Sequence, residues 1–303
     1  MIPVVFSTEH NFVMQTGVCI YSLLANATVS KYDIYVLISR DVSNDDKALL
    51  DKQVERFPGH NISFIEIGDV FSNSYEVRDI STATYSRLLI PWLLPQFDIV
   101  IYSDVDIIFK IDLSLIPMDR ISDYLVEGVP ALGLRSKAGR KHIESLGIDP
   151  MTYINAGFIV LNCKRLRDEN YKEKFLKEAG KKYLYQDQDI INLTCRGNIL
   201  LMDIGFNVTP KFYEIYNLPS LLHPDNSSYK NKLKWIASRD CIIHYAGQKP
   251  WNTFTYAWRE WWNAFSNSIF YDPEMELKVS GKIIRPSYSW LRILSFIKQK
   301  LFR

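Results

Sequence analysis

Residues 99–108 read Ile-Val-Ile-Tyr-Ser-Asp-Val-Asp-Ile-Ile: an apolar, β-branched run, two acids one residue apart, then two more isoleucines. A run of this length and composition reads as a buried strand with Asp104 and Asp106 at its carboxyl end. Two carboxylates among apolar neighbours are costly unless something positive meets them. Side chains two apart on a strand share a face. Both acids can therefore meet one hard divalent cation whose open positions take the oxygens of a diphosphate. Alone, the pair reads equally well as a strand-end turn whose acids cap the following segment.

Upstream, Ile2–Ser7, Ile34–Ser39 and Ile62–Ile67 repeat the strand pattern, separated by helical patterns at Phe12–Leu24, Asn44–Phe57 and Thr84–Leu94, the last stopped by Pro95. Downstream, Ala131–Leu134 and Ile154–Asn162 read as strands, followed by a charged helix over Leu166–Lys181 and another over Asp187–Arg196. The alternation predicts an α/β chain with a mostly parallel central sheet flanked by helices on both faces. In such sheets ligands bind beyond the carboxyl ends of the strands. Polar residues stand there: Ser7-Thr8-Glu9-His10-Asn11 after the first strand and Asp104-Val105-Asp106 after the fourth. Neither is followed by GxGxxG or a Walker A pattern, which argues against the usual dinucleotide and P-loop folds.

The 303 residues are 47% apolar, with 13 Gly, 13 Pro and no low-complexity run or tandem repeat, which predicts a folded chain throughout. A formal charge of +2 gives no support for a nucleic-acid partner. Cys19, Cys163, Cys195 and Cys241 lack CxxC spacing, and three sit in apolar runs, as expected of buried free thiols in a reducing compartment. The opening MIPVVFSTEHNF reads as a first strand, its apolar run being too short for a signal peptide or membrane span, so a cytoplasmic protein without a transmembrane helix is expected.

Three further patterns carry chemistry. His244 ends the apolar run Cys241–Tyr245 and is followed by Gly247-Gln248-Lys249-Pro250-Trp251. A lone histidine there is ordinarily a satisfied core residue. Beside the acidic pair, its imidazole can complete a Mn2+ site, while the turn brings backbone N–H groups and Lys249 to phosphate. In Tyr185-Gln186-Asp187-Gln188-Asp189-Ile190, Asp187 is either a helix-start acid or part of a sugar-hydroxyl clamp. Asn155-Ala156-Gly157 offers an amide and a close backbone approach, or merely a bulge.

Taken in order, VVFSTEHN, STATYSRL (residues 81–88), IVIYSDVDII, INAGFIVLN, YQDQDIIN and HYAGQKPW span residues 4 to 251. Together they resemble glycosyltransferase family 8, the group of bacterial lipopolysaccharide α-galactosyl- and α-glucosyltransferases and glycogenin. The resemblance implies a GT-A type nucleotide-diphospho-sugar transferase fold. It also implies a UDP-sugar donor carrying galactose or glucose, a saccharide acceptor, and Mn2+, with Mg2+ as the alternative. By position, Asp104, Asp106 and His244 fall on metal ligands; Ser7, Glu9 and Asn11 on nucleoside contacts; and Arg87 on a donor-sugar and phosphate contact. Val105 joins the donor-binding set, Gly247 and Lys249 fall on diphosphate contacts, and Asn155, Asp187 and Gln188 fall on sugar contacts. Asp187, Gln188 and Asp189 are the catalytic candidates, with Gln188 nearest the reacting face.

The chain departs from the family pattern at several points. Glu9 is one methylene longer than the Asp expected, and the turn from His244 to Lys249 is one residue shorter. Arg135 and Ser136 stand where some galactosyltransferases carry a sugar-binding Asp, which leaves the donor sugar open. The expected organisation is a catalytic domain over residues 1–252 and an aromatic, basic extension over residues 253–303.

In that extension the aromatics from Trp251 to Tyr271 read as core, sugar platform or membrane-facing surface. From Lys282 onward there are six basic residues and no acid, and Trp290, Ile293, Leu294, Ile297, Leu301 and Phe302 recur at helical spacing. That is the pattern of a helix on an anionic membrane surface, or of a docked helix with a solvated basic face. The expectation is thus a retaining hexosyltransferase of lipopolysaccharide, O-antigen or capsule synthesis, acting on a lipid-linked acceptor. It would lie peripherally on the inner face of a bacterial cytoplasmic membrane. Two other classes remain open: a non-catalytic nucleotide-sugar or glycan-binding protein, and a metal-dependent phosphohydrolase. The latter usually carries its acidic pair after the first strand, with Thr or Val where Ile108 stands here.

Overall fold

The computed structural model describes residues 1–67, 82–131, 134, 137–210, 241–253 and 255–283. Ser81, Arg135, Ser136, Phe254 and the tail pattern from Trp290 to Phe302 lie outside the described residues. Among the described residues the strands are β1 (Ile2–Thr8), β2 (Tyr32–Ile38), β3 (Asn61–Glu66), β4 (Ile99–Ser103), β5 (Ile107–Phe109), β6 (Val126–Pro130), β7 (Ile154–Asn162), β8 (Ile199–Leu201) and β9 (Ile242–His244).

Seven of them form one sheet in the order β3-β2-β1-β4-β7-β6-β8. Within it β7 alone runs against the others. Side chains alternate between two apolar layers. Val4, Phe6, Val36, Ile101 and Phe158 face the layer of helix α1 (Val13–Ala25); Val5, Leu37, Val100, Tyr102 and Ile159 face the opposite one. Burial of both faces explains why these strands are continuous apolar runs rather than alternating ones. Helix α2 (Asn44–Glu55) opens on a capping box made by Ser43 and Asp46.

Several boundaries differ from the sequence reading, each for an identifiable reason. A strand not expected from the sequence spans Val126–Pro130, where Glu127, Gly128 and Pro130 disguise a run that is nevertheless buried. Of the expected Ala131–Leu134 strand, Ala131 and Leu134 are not strand residues, and residues 132 and 133 lie outside the described residues. The Thr84–Leu94 helix is instead a 3-10 segment, Thr82–Leu89, followed by a single α turn, α3 (Ile90–Leu93), with Pro91 in its first positions. After helix α4 (Lys137–Ser145), the expected Leu166–Lys181 helix divides into α5 (Cys163–Asp168) and α6 (Tyr171–Ala179), because Asn170 adopts the left-handed region at φ +56°. Helix α7 spans Gln186–Thr194.

Asp104 to Asp106 are not strand residues. They form a bend at which the chain leaves β4, and β5 then pairs antiparallel with β9 in a separate two-stranded sheet. The two carboxylates converge through this bend and not through strand pleating.

The aromatic cluster is largely core. Trp251, Trp261, Trp262 and Phe265 are buried, and helix α8 (Trp258–Asn267) joins the α1 layer. A Cβ at Gly17 would lie 1.9 Å from the Phe270 ring, so glycine is what admits that ring against α1. Tyr256 and Tyr271 stay exposed. Helix α9 (Pro273–Ile283) follows, and all four cysteines are buried free thiols. No helix among the described residues is long and apolar enough to cross a membrane.

Candidate functional site

The bend after β4 and the end of β9 meet because Ile107 pairs with His244. One ligand atom each from Asp104, Asp106 and His244 lies within 4.8 Å of the others. His244 Nε2 is 3.2 Å from Asp106 Oδ1 and 3.8 Å from Asp104 Oδ2. Gly157 closes the cluster: a Cβ there would sit 2.6 Å from Asp104 Oδ2 and 2.3 Å from His244 Cε1. Two carboxylates and an imidazole around a space that only glycine leaves open are a fitting donor set for a hard to borderline divalent cation.

Lys249 reaches the same place. Gly247 turns the chain at φ +101°, a conformation that suits glycine, and the Lys249 ammonium pairs with Asp106 Oδ2 while donating to the Tyr245 carbonyl at 3.1 Å. Burial opposes charge on Asp106, but Lys249 and His244 outweigh it and hold the carboxyl far below the usual carboxylate range.

Arg87, at the end of the 3-10 segment, is buried and ties the acids together. Its Nη2 lies 2.9 Å from Asp104 Oδ1 and its Nε 2.9 Å from Asp187 Oδ2. Nη1 donates to the Ala156 carbonyl at 2.7 Å, and the guanidinium stacks 4.4 Å from the Tyr102 ring centre. The Tyr102 hydroxyl donates to Asp104 Oδ1 at 2.8 Å. Burial pushes the Asp187 carboxyl up to about 7, against the pull of Arg87.

Gln188 follows Asp187 on the first turn of α7. Its Oε1 accepts from Asn155 Nδ2 at 3.0 Å and from the Ala156 N–H at 3.2 Å, and its Nε2 donates to the Tyr153 hydroxyl at 3.2 Å. Asp189 is fully buried and accepts from Tyr153, from His142 Nε2 at 2.9 Å and from the Tyr185 N–H at 2.8 Å. Asp189 is therefore an anchor within the protein.

Of the remaining candidates, Ser7 at the end of β1 lies 3.0 Å, oxygen to oxygen, from Ser86, one residue from Arg87. Glu9 and Asn11 follow on the short turn beyond β1, with Asn11 exposed, and Val105 is half-buried between the two acids. The structure thus gathers Asp104, Asp106, His244, Lys249, Arg87 and Asp187 into one charged cluster, with Asn155 and Gln188 beside it.

Sequence reasoning missed Tyr102, His142, Tyr153 and Asn207. Tyr153 stands two residues before Asn155 in sequence, which is a usable signal. Asn207 lies where the regular alternation has faded, and nothing local marks it.

A sequence profile described as Glycosyl transferase family 8 matches residues 3–255. A putative glycosyltransferase of Haemophilus influenzae is 25% identical over 226 residues, covering 72% of this chain and 67% of that protein. Lipopolysaccharide 1,2-glucosyltransferase of Escherichia coli K12 is 26% identical over 261 residues, covering 82% of this chain and 72% of that protein.

Among solved structures, the WbbM bifunctional glycosyltransferase superposes with a TM-score of 0.76 at 26% identity, covering 92% of this chain but about half, 52%, of that one. The galactosyltransferase LgtC, solved with donor and acceptor sugar analogues, gives a TM-score of 0.76 at 21% identity over 92% of this chain and 100% of that one. The GT-A fold expected from the sequence is the fold these share. The family match favours neither the phosphohydrolase nor the non-catalytic reading.

Proposed function

The chain belongs to glycosyltransferase family 8, and from that membership we propose that it is a Mn2+-dependent, retaining hexosyltransferase. In this reading it moves galactose or glucose from a UDP-sugar to a saccharide acceptor in the synthesis of lipopolysaccharide, O-antigen or capsule. The observation that carries the proposal is the convergence of Asp104, Asp106 and His244 on one point with the Lys249 ammonium already against it. Asp104, Asp106 and His244 would hold the cation, with Mn2+ preferred over Mg2+ because an imidazole joins the carboxylates. When bound, the cation supplies positive charge that stabilises the departing diphosphate.

The protein's own groups do the rest. Lys249, turned inward at Gly247, neutralises the diphosphate, while Ser7, Glu9, Asn11 and Val105 hold the nucleoside side of the donor. Arg87, braced by Asp104 and Asp187, grips the sugar together with Asn155. Gln188 presents a neutral amide at the reacting face. Double displacement needs a carboxylate free to attack the anomeric carbon. Here Asp187 is held by Arg87, and Asp189 is buried with its oxygens in use. We therefore favour attack by the acceptor hydroxyl on the leaving-group face. The anomeric C–O bond breaks as the new one forms, and a phosphate oxygen takes the hydroxyl proton.

Residues 1–252 would act as the catalytic unit. The basic tail pattern supports peripheral attachment to the inner face of the cytoplasmic membrane, next to a lipid-linked acceptor. Screening UDP-sugars for Mn2+-dependent UDP release tests the assignment without knowledge of the acceptor. UDP-galactose or UDP-glucose should be consumed; turnover of neither would overturn it. A glycosyl adduct trapped on Asp187, Gln188 or Asp189 would overturn the front-face route.

A further inference from the structure

A line of buried and half-buried hydrogen bonds joins elements that the sequence keeps far apart, and its donor and acceptor polarity can be followed group by group. It starts at Asp189, fully buried on α7, which accepts from His142 Nε2 on α4 at 2.9 and 3.0 Å. A carboxylate only accepts, so the buried Tyr153 hydroxyl spends its single hydrogen on Asp189. Its oxygen is then left to accept from Gln188, which must turn Nε2 toward it. Gln188 Oε1 accordingly faces two donors, Asn155 Nδ2 and the Ala156 N–H.

The same logic continues on the metal side. With Asn155 Nδ2 committed, Asn155 Oδ1 accepts from the Gly157 N–H at 3.0 Å and from Asn207 Nδ2 at 2.9 Å. Asn207 is only 1% exposed, and with its nitrogen used it offers Oδ1 to His244 Nδ1 at 2.9 Å. His244 Nδ1 must therefore carry hydrogen. Nε2, the atom 3.2 Å from Asp106, is then the ring nitrogen whose lone pair is offered to a cation when the imidazole is neutral.

We propose that Tyr153 and Asn207 are positioning residues, one on each side of Asn155, in a single hydrogen-bond chain that sets both the amide orientation of Gln188 and the ring tautomer of His244. The inference rests on His244 as a cation ligand and Gln188 as the amide at the reacting face. It adds that neither residue is set independently: the polarity imposed by the Asp189 carboxylate reaches His244 through four side chains, Tyr153, Gln188, Asn155 and Asn207. Asn207 acts on the cation only through the imidazole, and Tyr153 acts on the sugar only through Gln188.

Imidazole 15N spectra of the metal-free protein at about pH 8.5, above the ordinary histidine range, read the tautomer directly. His244 should carry hydrogen on Nδ1 in the wild type, and Asn207→Leu should lose that preference and bind Mn2+ about 10- to 100-fold more weakly. Asn207→Asp keeps an acceptor for Nδ1, so it should retain the tautomer and stay within about threefold of wild-type Mn2+ affinity; it serves alone if Asn207→Leu does not fold. Tyr153→Phe should shift the Gln188 side-chain amide resonances and speed their hydrogen exchange. It should also lower kcat about tenfold with the donor KM and Mn2+ affinity unchanged.

A wild-type His244 with hydrogen on Nε2 alone would overturn the proposal. So would an Asn207→Leu or Asn207→Asp tautomer contrary to these, or a Tyr153→Phe variant in which Gln188 is unmoved. The spectra and Mn2+ titrations need no substrate. Absence of turnover would thus count against the proposed function, and a wrong tautomer against this chain.

Discussion

Gly157→Ala tests the shape of the candidate cation site with the smallest available change. Gly157 lies in β7, between Ala156 and the Phe158 that pairs with Ser103 of β4, and its backbone is not in the left-handed region, so alanine adopts it without backbone cost. What changes is contact. The new methyl would lie 2.3 Å from His244 Cε1 and 2.6 Å from Asp104 Oδ2. Ordinary carbon contacts are about 3.5 Å or more, so the ring would have to retreat by roughly 1 Å.

His244 has little room to do so, because its Nδ1 is tied to Asn207 and its backbone is paired to Ile107. Metal sites tolerate ligand displacements of only about 0.2 Å. Overpacking should therefore cost about 1–3 kcal/mol of stability. Mn2+ affinity should fall by at least the roughly 10- to 100-fold typical of losing an outer-shell contact. Calorimetric Mn2+ titration of the metal-free protein and urea unfolding read the two effects separately. Wild-type Mn2+ affinity in a folded Gly157→Ala variant would refute the geometry.

Lys249→Met should strengthen binding of Mn2+ alone by about tenfold, because the ammonium against Asp106 competes with the cation, and should weaken UDP binding; weaker Mn2+ binding in a direct titration would contradict this. Asp187 has a folded pKa of about 7 against an ordinary 3.8, so folding takes up a proton between those values. Stability of the metal-free protein should accordingly fall as pH rises from about 4 to about 7, and Asp187→Asn should flatten that slope in urea midpoints; an unchanged slope would remove the assignment. Truncation after Pro286 should abolish salt-sensitive sedimentation with vesicles containing anionic lipid, and equal sedimentation of the truncated chain would dispose of the membrane role of the tail.

The parts legible in the sequence are those encoded over short distances. Continuous apolar runs mark β1, β2, β4 and β7 because both faces of the sheet are covered. The acidic pair stood out because nothing in an apolar run accounts for it. Strand β6 escaped notice because Glu127 and Gly128 break its pattern, although Glu127 is only 1% exposed and Gly128 is forced by the Ile154 side chain, 2.7 Å from where a Cβ would stand.

The bend between β4 and β5 looked like strand because Val105, Ile107 and Ile108 continue the apolar character. Only the pairing of β5 with β9 shows that the sheet has been left. That pairing also brings His244 to Asp106 across more than a hundred residues, and no periodicity records it. Asn207 and His142 carry no local signal for the same reason: each acts through partners supplied by distant elements.

Everything proposed for the reaction depends on Asp104, Asp106 and His244 forming the cation site of a sugar-transferring enzyme. The most direct test is UDP release from UDP-galactose and UDP-glucose by the wild type and Asp106→Asn, each with EDTA and with Mn2+ restored. EDTA should silence the wild type, Mn2+ should revive it, and folded Asp106→Asn should stay at least about 100-fold below the Mn2+-restored wild-type rate with or without the metal. Turnover that persists in EDTA, or an Asp106→Asn rate equal to wild type in Mn2+, would contradict that assignment.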